Sequence, residues 1–207
     1  MDYQAQYDAV LATINASISD SRVKEETIAS LQSNNLQMQS SQIFAKKEVT
    51  GQGGLLNVIK QSDSLVFGER NIDGAKLSSG ELFIATGIAF SWYQGAADSA
   101  INNYVNTRNN GTVDVDAALL NSELILGQNS KTLLRTPIES LLANTESDAP
   151  AGHPDVIFPL FPFAFLTDRE TINLDIQFPE GASVGGTTAT AEIWVNIALL
   201  GVRTMPR

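Results

Sequence analysis

The clearest structural signal in this chain is 171-TINLDIQF-178, in which polar and apolar residues alternate without exception. In an extended chain successive side chains point to opposite faces, so Ile172, Leu174 and Ile176 would share one face. The residues between them are polar. This alternation predicts an antiparallel β-strand with one face in a core and the other in solvent.

Strand-like segments continue on both sides of this stretch. Residues 155–166 contain two prolines, which exclude a helix and suit an extended strand that lies at a sheet edge or carries bulges. Residues 188–202 read as a long closing strand, and residues 82–93 and 64–69 as earlier strands. Seven to nine strands with little helix between them predict a mainly β protein, either a sandwich or a barrel.

The beginning of the chain has a different composition, with neither Gly nor Pro in the first 44 residues. Apolar residues recur there at spacings of three and four, as on one face of a helix, and a second apolar series runs on through Leu36 and Met38. The first series is Tyr3, Tyr7, Val10, Ile14 and Ile18. We predict a helical N-terminal arm over residues 1–50 and a β body over residues 51–207, with residues 51–54 (Gly-Gln-Gly-Gly) as the joint.

The arm is expected to bind protein, because helices are stabilised mainly by packing an apolar face on another surface. Docking on its own body and docking on neighbouring subunits both remain open. Because the body is expected to have its own core, deletion of residues 1–44 should leave it folded but impair assembly.

Composition and charge exclude several functions. The chain has no cysteine, so thiolate metal sites, thiol nucleophiles and disulfides are absent. No apolar run approaches the roughly 20 residues of a membrane-spanning helix, and the N-terminus lacks the pattern of a secretory signal, which predicts a cytoplasmic protein or one that leaves inside an assembly.

The charge pattern disfavours general nucleic-acid binding. Residues 61–207 carry seventeen acidic and eight basic groups, a net charge of −9, which repels polyanions. Lys46, Lys47, Arg203 and Arg207 are the remaining candidates for a local basic element.

Candidate catalytic and metal-binding residues are few. His153, the sole histidine, lies in a turn-forming segment, so we interpret it as a loop residue in preference to a base paired with Asp155. Asp114 and Asp116 could meet a cation, but no further oxygen ligand follows at regular spacing, and a charged strand edge is the favoured interpretation. A pair of glycosidase carboxylates distant in sequence stays open. We therefore predict no catalytic, cofactor-binding or metal-binding residues, and no enzyme.

Aromatic residues cluster in two segments. They are Phe90, Trp92 and Tyr93 in the first, and Phe158, Phe161, Phe163 and Phe165 in the second. Because neither segment has interleaved Lys or Arg, a core or a subunit interface is favoured over a platform for bases or sugars.

The whole pattern resembles the single jelly-roll structural proteins of icosahedral viruses, including bacteriophages. The resemblance is carried by the Pro-aromatic run at residues 158–163, the alternating strand at 171–178 and the long final strand that ends in 203-RTMPR-207. It implies an antiparallel jelly-roll β-sandwich whose copies associate side by side into a shell. Viral arms that touch the genome are usually basic, whereas this arm is nearly neutral, which implies a protein partner for it.

The first functional hypothesis is therefore a capsid-type virion protein, a homo-oligomer assembled in the host cytoplasm with other structural proteins. The alternatives are a phage tail, fibre or baseplate component, a carbohydrate-binding β-sandwich module, or a β-sandwich hydrolase.

Overall fold

This computed structural model describes residues 36–96, 115–143, 157–168, 170–185 and 191–206, together with positions 12, 29 and 30. Within the five continuous ranges, the chain forms eight β-strands and two short helices. The strands are β1 (Leu36–Glu48), β2 (Leu55–Ile59), β3 (Leu82–Ala96), β4 (Glu123–Gln128), β5 (Lys131–Pro137), β6 (Ile157–Thr167), β7 (Ile172–Gln177) and β8 (Ala191–Pro206). The helices are α1 (Ala117–Leu120) and α2 (Ile138–Ala143). The mainly β class predicted from the sequence is confirmed.

The strands pair in a nested order. β1 pairs with β8, β2 with β7, β3 with β6 and β4 with β5, and every pair is antiparallel. Two more antiparallel pairs, β3 with β8 and β4 with β7, join these four ribbons into two sheets. The first sheet has the order β1-β8-β3-β6, and the second has the order β2-β7-β4-β5.

Both sheets contribute alternate residues to one hydrophobic core. Phe83 and Phe90 of β3, on the first sheet, belong to the same buried cluster as Leu124 of β4 and Ile176 of β7, on the second. All four side chains are at most 1% exposed. Since a fully buried side chain of this size contributes about 1.5–3 kcal/mol, this shared core is the main source of stability.

The alternating stretch at residues 171–178 forms β7 as predicted. Ile172, Leu174 and Ile176 are buried, whereas Asn173 is exposed. The strand lies between β2 and β4, so its polar face is the outer face of the second sheet.

The proline-rich strand β6 also lies where its sequence predicts. It is an edge strand of the first sheet, and its register with β3 shifts between Ala85 and Gly87. Both the edge position and the bulge were expected from the prolines.

The predicted helix through Leu36 and Met38 is wrong. These residues begin β1, which pairs with β8 over thirteen residues from Leu36 to Glu48. The segment forms a strand and not a helix because the strand places Ile43 and Ala45 in the core, at 2% and 1% exposure. The sheet therefore includes residues assigned to the arm, and deletion to residue 44 would remove most of β1. The arm over residues 1–35 lies outside the described residues, apart from positions 12, 29 and 30.

The glycine-rich joint is a turn within the β structure that connects β1 to β2. Gly51 N donates to Val184 O at 2.7 Å, and Phe178 N donates to Gly54 O at 2.8 Å. These bonds tie the turn to the segment that follows β7.

The strand predicted at residues 64–69 is also wrong, because this segment is an irregular loop that lies along the free edge of β1. Lys46 N donates to Glu69 O at 2.7 Å, and Phe44 N donates to Asn71 Oδ1 at 2.8 Å. The loop therefore satisfies backbone groups that an uncovered edge would leave open.

Candidate functional site

The candidate catalytic pair is not tested by the structure. His153, Asp155 and Asp114 all lie outside the described residues. Among the residues that the structure does describe, no three His, Cys, Asp or Glu side chains are grouped so that they could hold a metal ion.

Asp116 has a local role at the start of α1. Its Oδ1 accepts hydrogen bonds from Ala118 N at 2.8 Å and Leu119 N at 3.3 Å, which is the geometry of an N-cap. Its Oδ2 accepts from Gly185 N at 3.1 Å. This carboxylate caps a helix and ties it to the segment after β7, and the predicted charged strand edge is wrong for Asp116.

The basic candidates do not form one patch. Arg203, on β8, donates through Nε to Glu81 Oε2 at 3.1 Å, and this ion pair is partly buried. Lys46 and Lys47 are adjacent on β1 and therefore point to opposite faces of the first sheet. Arg207 lies outside the described residues. The local basic element considered from the sequence has no support in this arrangement.

The aromatic clusters are divided between the core and the surface. Phe90 and Trp92 are core residues at 1% and 4% exposure, and Phe158 packs against the same core. Phe161, in contrast, is 96% exposed on β6. The predicted core role is confirmed for the buried rings, and Phe161 is left as a surface feature.

The cleft of greatest chemical interest lies between the β4–β5 turn and β6. Its volume is about 420 Å³. Leu133, Pro162 and Phe163 form apolar walls, and Asn129 and Glu170 are among the polar groups that line it. Apolar and polar groups line this cleft in about equal share, so it offers both van der Waals contacts and hydrogen bonds to a small ligand.

Gln128 fixes the floor of this cleft. Its Nε2 donates to Thr167 O at 2.8 Å and Glu170 O at 3.0 Å, and its Oε1 accepts from Thr167 N at 3.0 Å. At 5% exposure, Gln128 is buried with these bonds made. It therefore connects the end of β4, in the second sheet, to the end of β6, in the first, and holds the two walls together.

Asn129 and Glu170 complete a polar side of the cleft. Asn129 Nδ2 donates to Glu170 Oε1 at 2.6 Å. Lys131 also lines the cleft and is exposed. The sequence contains no motif for this site, because residues 128–133 and 162–170 meet only through the folding of two sheets.

A second hollow lies along β2 and β7 on the second sheet, with a volume of about 630 Å³ and a polar lining that includes Asn57, Lys60 and Asn173. Asp175 is next to it and accepts a hydrogen bond from Asn57 Nδ2 at 2.7 Å. Burial raises the pKa of the Asp175 carboxyl above its ordinary value of 3.8, and the bond from Asn57 opposes this in part. This hollow offers hydrogen-bonding groups without an aromatic wall.

The described helices, α1 and α2, have four and six residues, and neither is long and apolar enough to cross a membrane. No protein-family model matches the chain, and no curated protein is significantly similar to it.

Proposed function

We propose that the eight strands form a jelly-roll β-sandwich and that the protein is a capsid-type virion subunit that acts by self-association into a shell. The observation that carries this proposal is the nested pairing of β1 with β8, β2 with β7, β3 with β6 and β4 with β5. A long two-stranded ribbon that rolls up into two four-stranded sheets has the connectivity of a jelly roll, an architecture of viral capsid and lectin domains. On this proposal the protein resides in a virion assembled in the host cytoplasm.

The sheet edges support association through side chains in preference to strand addition. The loop at residues 69–71 covers the β1 edge, and Pro159 and Pro162 remove hydrogen-bond donors from β6. In the second sheet, β2 is five residues long and β5 exposes Lys131 and Arg135. Edges of this kind discourage open-ended β-pairing, as a subunit of a closed shell requires.

Two exposed aromatic side chains supply candidate contacts. Phe67 and Phe161 are each 96% exposed. Phe67 belongs to the loop on the β1 edge, and Phe161 belongs to β6 at the opposite edge of the same sheet. A contact that joins one edge to the opposite edge of the next copy is heterologous, and it closes into rings when the rotation permits. Each copy would then offer one aromatic side chain to each neighbour.

The test measures assembly. Wild-type protein is expected to form large particles as its concentration rises, and Phe67→Ser and Phe161→Ser are each expected to reduce the assembled fraction, measured by sedimentation and imaging of particles. Leu55→Ser is the matched control, since Leu55 is 57% exposed on β2 in the other sheet. A wild-type chain that stays monomeric at every concentration would count against a shell subunit.

A carbohydrate-binding module is the second candidate, and the cleft between the β4–β5 turn and β6 favours it. Phe163 provides an aromatic surface there, and Asn129, Lys131 and Glu170 provide hydrogen-bonding groups. Glycan retention that is lost in Lys131→Ala but kept in Lys60→Ala, at the other hollow, would support this function. If no glycan of a broad panel retains the wild-type protein, the carbohydrate-binding function is excluded.

A further inference from the structure

The edge of β1 that faces away from β8 carries backbone groups that a loop of the same chain occupies. Phe44 turns both of its backbone groups to this edge. Its N donates to Asn71 Oδ1 at 2.8 Å, and its O accepts from Asn71 N at 3.3 Å. On either side, Gln42 O accepts from Asn71 Nδ2 at 2.7 Å, and Lys46 N donates to Glu69 O at 2.7 Å. An antiparallel partner strand would bond these same groups.

Polar contacts hold this loop on the edge. The amide of Asn71 takes the place of a peptide group, and Arg70 forms ion pairs with Asp63 at 3.0 Å and Glu69 at 3.1 Å. Phe67, at the outer part of the loop, is 96% exposed and adds no burial, whereas Ile72 is buried at 5% directly after Asn71. The segment that ends at Asn71 can therefore separate from the edge while the core stays closed.

We propose that the edge of β1 is an interface for a second copy of this chain, which pairs its own β1 antiparallel to it about a twofold axis beside Phe44, and that residues 69–71 keep this interface closed. The inference concerns pairs of copies and does not depend on the shell proposed above.

The hydrogen-bonding pattern and the side chains of β1 select a second copy as the partner. Because Phe44 directs both N–H and C=O outward, two Phe44 residues can exchange both bonds, and such a pair is its own mirror across a twofold axis. Ile43 then lies opposite Ala45 of the other copy, and both are core residues. The charged residues Lys46, Lys47 and Glu48 lie opposite Gln42, Ser41 and Ser40. No like charges face each other, as a stable strand pair requires.

The second copy also offers a longer partner than the loop does. The loop bonds to β1 only along residues 69–71, where Arg70 bridges to Ala45. In the paired copies, residues 40–48 would face the same residues in reverse order, so each backbone bond lost from the loop is replaced and further bonds are added. Closure by the loop is intramolecular and pairing is bimolecular, so pairing increases with protein concentration. A twofold pair consumes the edge and does not continue into a fibre.

The absence of native cysteines allows a direct test. The opened variant carries Arg70→Ala with Asn71→Ala, which removes the ion pairs and the amide that hold the loop. Phe44→Cys in this background is expected to give a disulfide-linked dimer, because hydrogen-bonded pairs have Cα atoms about 5.5 Å apart, within the range of a disulfide. Gln42→Cys in the same background is the control. Its two copies would lie four residues apart along the strands, about 13 Å, and should not be linked.

Gel mobility without reductant and mass measure the yield after mild oxidation. With the native loop, Phe44→Cys should give on the order of tenfold less dimer than in the opened variant, since the loop covers the edge. Equal yields from Phe44→Cys and Gln42→Cys, or no dimer from Phe44→Cys in an opened variant that circular dichroism shows to be folded, would overturn the proposal.

Hydrogen exchange of the wild-type chain tests the opening of the loop without any substitution. The amides of Phe44 and Lys46 should exchange on the order of tenfold faster than that of Ile43, which points towards β8, because separation of the loop needs no unfolding of the sheet. In the opened variant, the Phe44 amide should exchange more slowly at high protein concentration than at low concentration. If Phe44 exchanges as slowly as Ile43 in the wild-type chain, the loop leaves only when the domain unfolds and the proposal is wrong.

Discussion

Asp175 shows how one residue can make stability depend on pH. Its carboxyl lies at the centre of the outer face of the second sheet, between Asn57 of β2 and Ile125 of β4. Partial removal from water disfavours the charged form, so the pKa is raised, although the hydrogen bond from Asn57 acts in the other direction. The folded state therefore binds this proton more tightly than the unfolded state does.

The pH dependence follows from this difference. The contribution of Asp175 to stability is fully present below its unfolded pKa of about 3.8 and is lost as pH rises through the folded pKa. Asp175→Asn removes the charge and keeps an oxygen that can accept from Asn57. We expect the variant to have a higher melting temperature than wild type at pH 7 and the same melting temperature at pH 3.

The control for this prediction is Asp73→Asn, which removes an exposed carboxylate in a turn. If it raised the melting temperature at pH 7 as much as Asp175→Asn does, removal of any one carboxylate from this acidic chain would explain the effect, and the prediction would be wrong. A melting temperature of Asp175→Asn below that of wild type at pH 7 would mean that the carboxylate is favourably paired in the folded protein.

Single residues were predicted from the sequence with mixed success, and Asp116 shows why. An acidic residue before Ala117-Ala118-Leu119-Leu120 is a helix-cap signal, yet the neighbouring Asp114 favoured an edge or a cation instead. The cap is recognised only when Asp116 Oδ1 is seen to accept from Ala118 N. Gln128 could not have been found at all, because its partners Thr167 and Glu170 are about 40 residues away.

The β4–β5 hairpin is the element in which local strain is most easily tested. Asn129 and Ser130 connect the two strands with φ values of 52° and 59°. Two-residue hairpin loops with positive φ at both positions favour Asn followed by Gly. A serine in the left-handed region costs roughly 1–2 kcal/mol. Part of this cost is offset, because a serine loses less backbone entropy on folding than a glycine does. We expect Ser130→Gly to raise the free energy of unfolding by about 0.5–1 kcal/mol.

Urea denaturation at equilibrium measures this change. Ser130→Ala is the control, because it removes the hydroxyl and keeps the Cβ atom that makes positive φ costly. The two variants should differ, with only the glycine stabilising. If both change stability equally, the hydroxyl of Ser130 and not its backbone conformation decides the effect.

At the scale of elements, the sequence succeeded where a pattern is local and failed where a strand depends on a distant partner. The alternation of β7 and the prolines of β6 are visible within a few residues, and both strands were predicted. β1 was missed because its partner β8 begins about 150 residues later, and Leu36 and Met38 also continue a helical spacing. The loop at residues 64–69 was mistaken for a strand because its apolar residues Leu65, Val66 and Phe67 suggest one.

For the whole molecule, the nested pairing determines which parts of the chain can be removed. β1 is an edge strand of the first sheet, but β8, its partner, is the strand to which both β1 and β3 are bonded. Loss of β1 would make the long strand β8 an edge and would expose Leu199, which is 0% exposed and lies opposite Ile43. The described pairing of β1 begins at Leu36.

Two truncations separate these roles. A chain that begins at residue 36 should keep both sheets and unfold cooperatively. A chain that begins at residue 45 loses nine of the thirteen residues of β1, Ile43 among them. Truncation of one buried Ile alone costs about 2–5 kcal/mol, and a small domain has only about 5–15 kcal/mol in total, so the shorter chain should be largely unfolded or aggregated. Far-ultraviolet circular dichroism and urea denaturation distinguish the outcomes. Equal stability of the two chains would show that β1 contributes little to the fold, and loss of folding in the longer one would place residues 1–35 in the core itself.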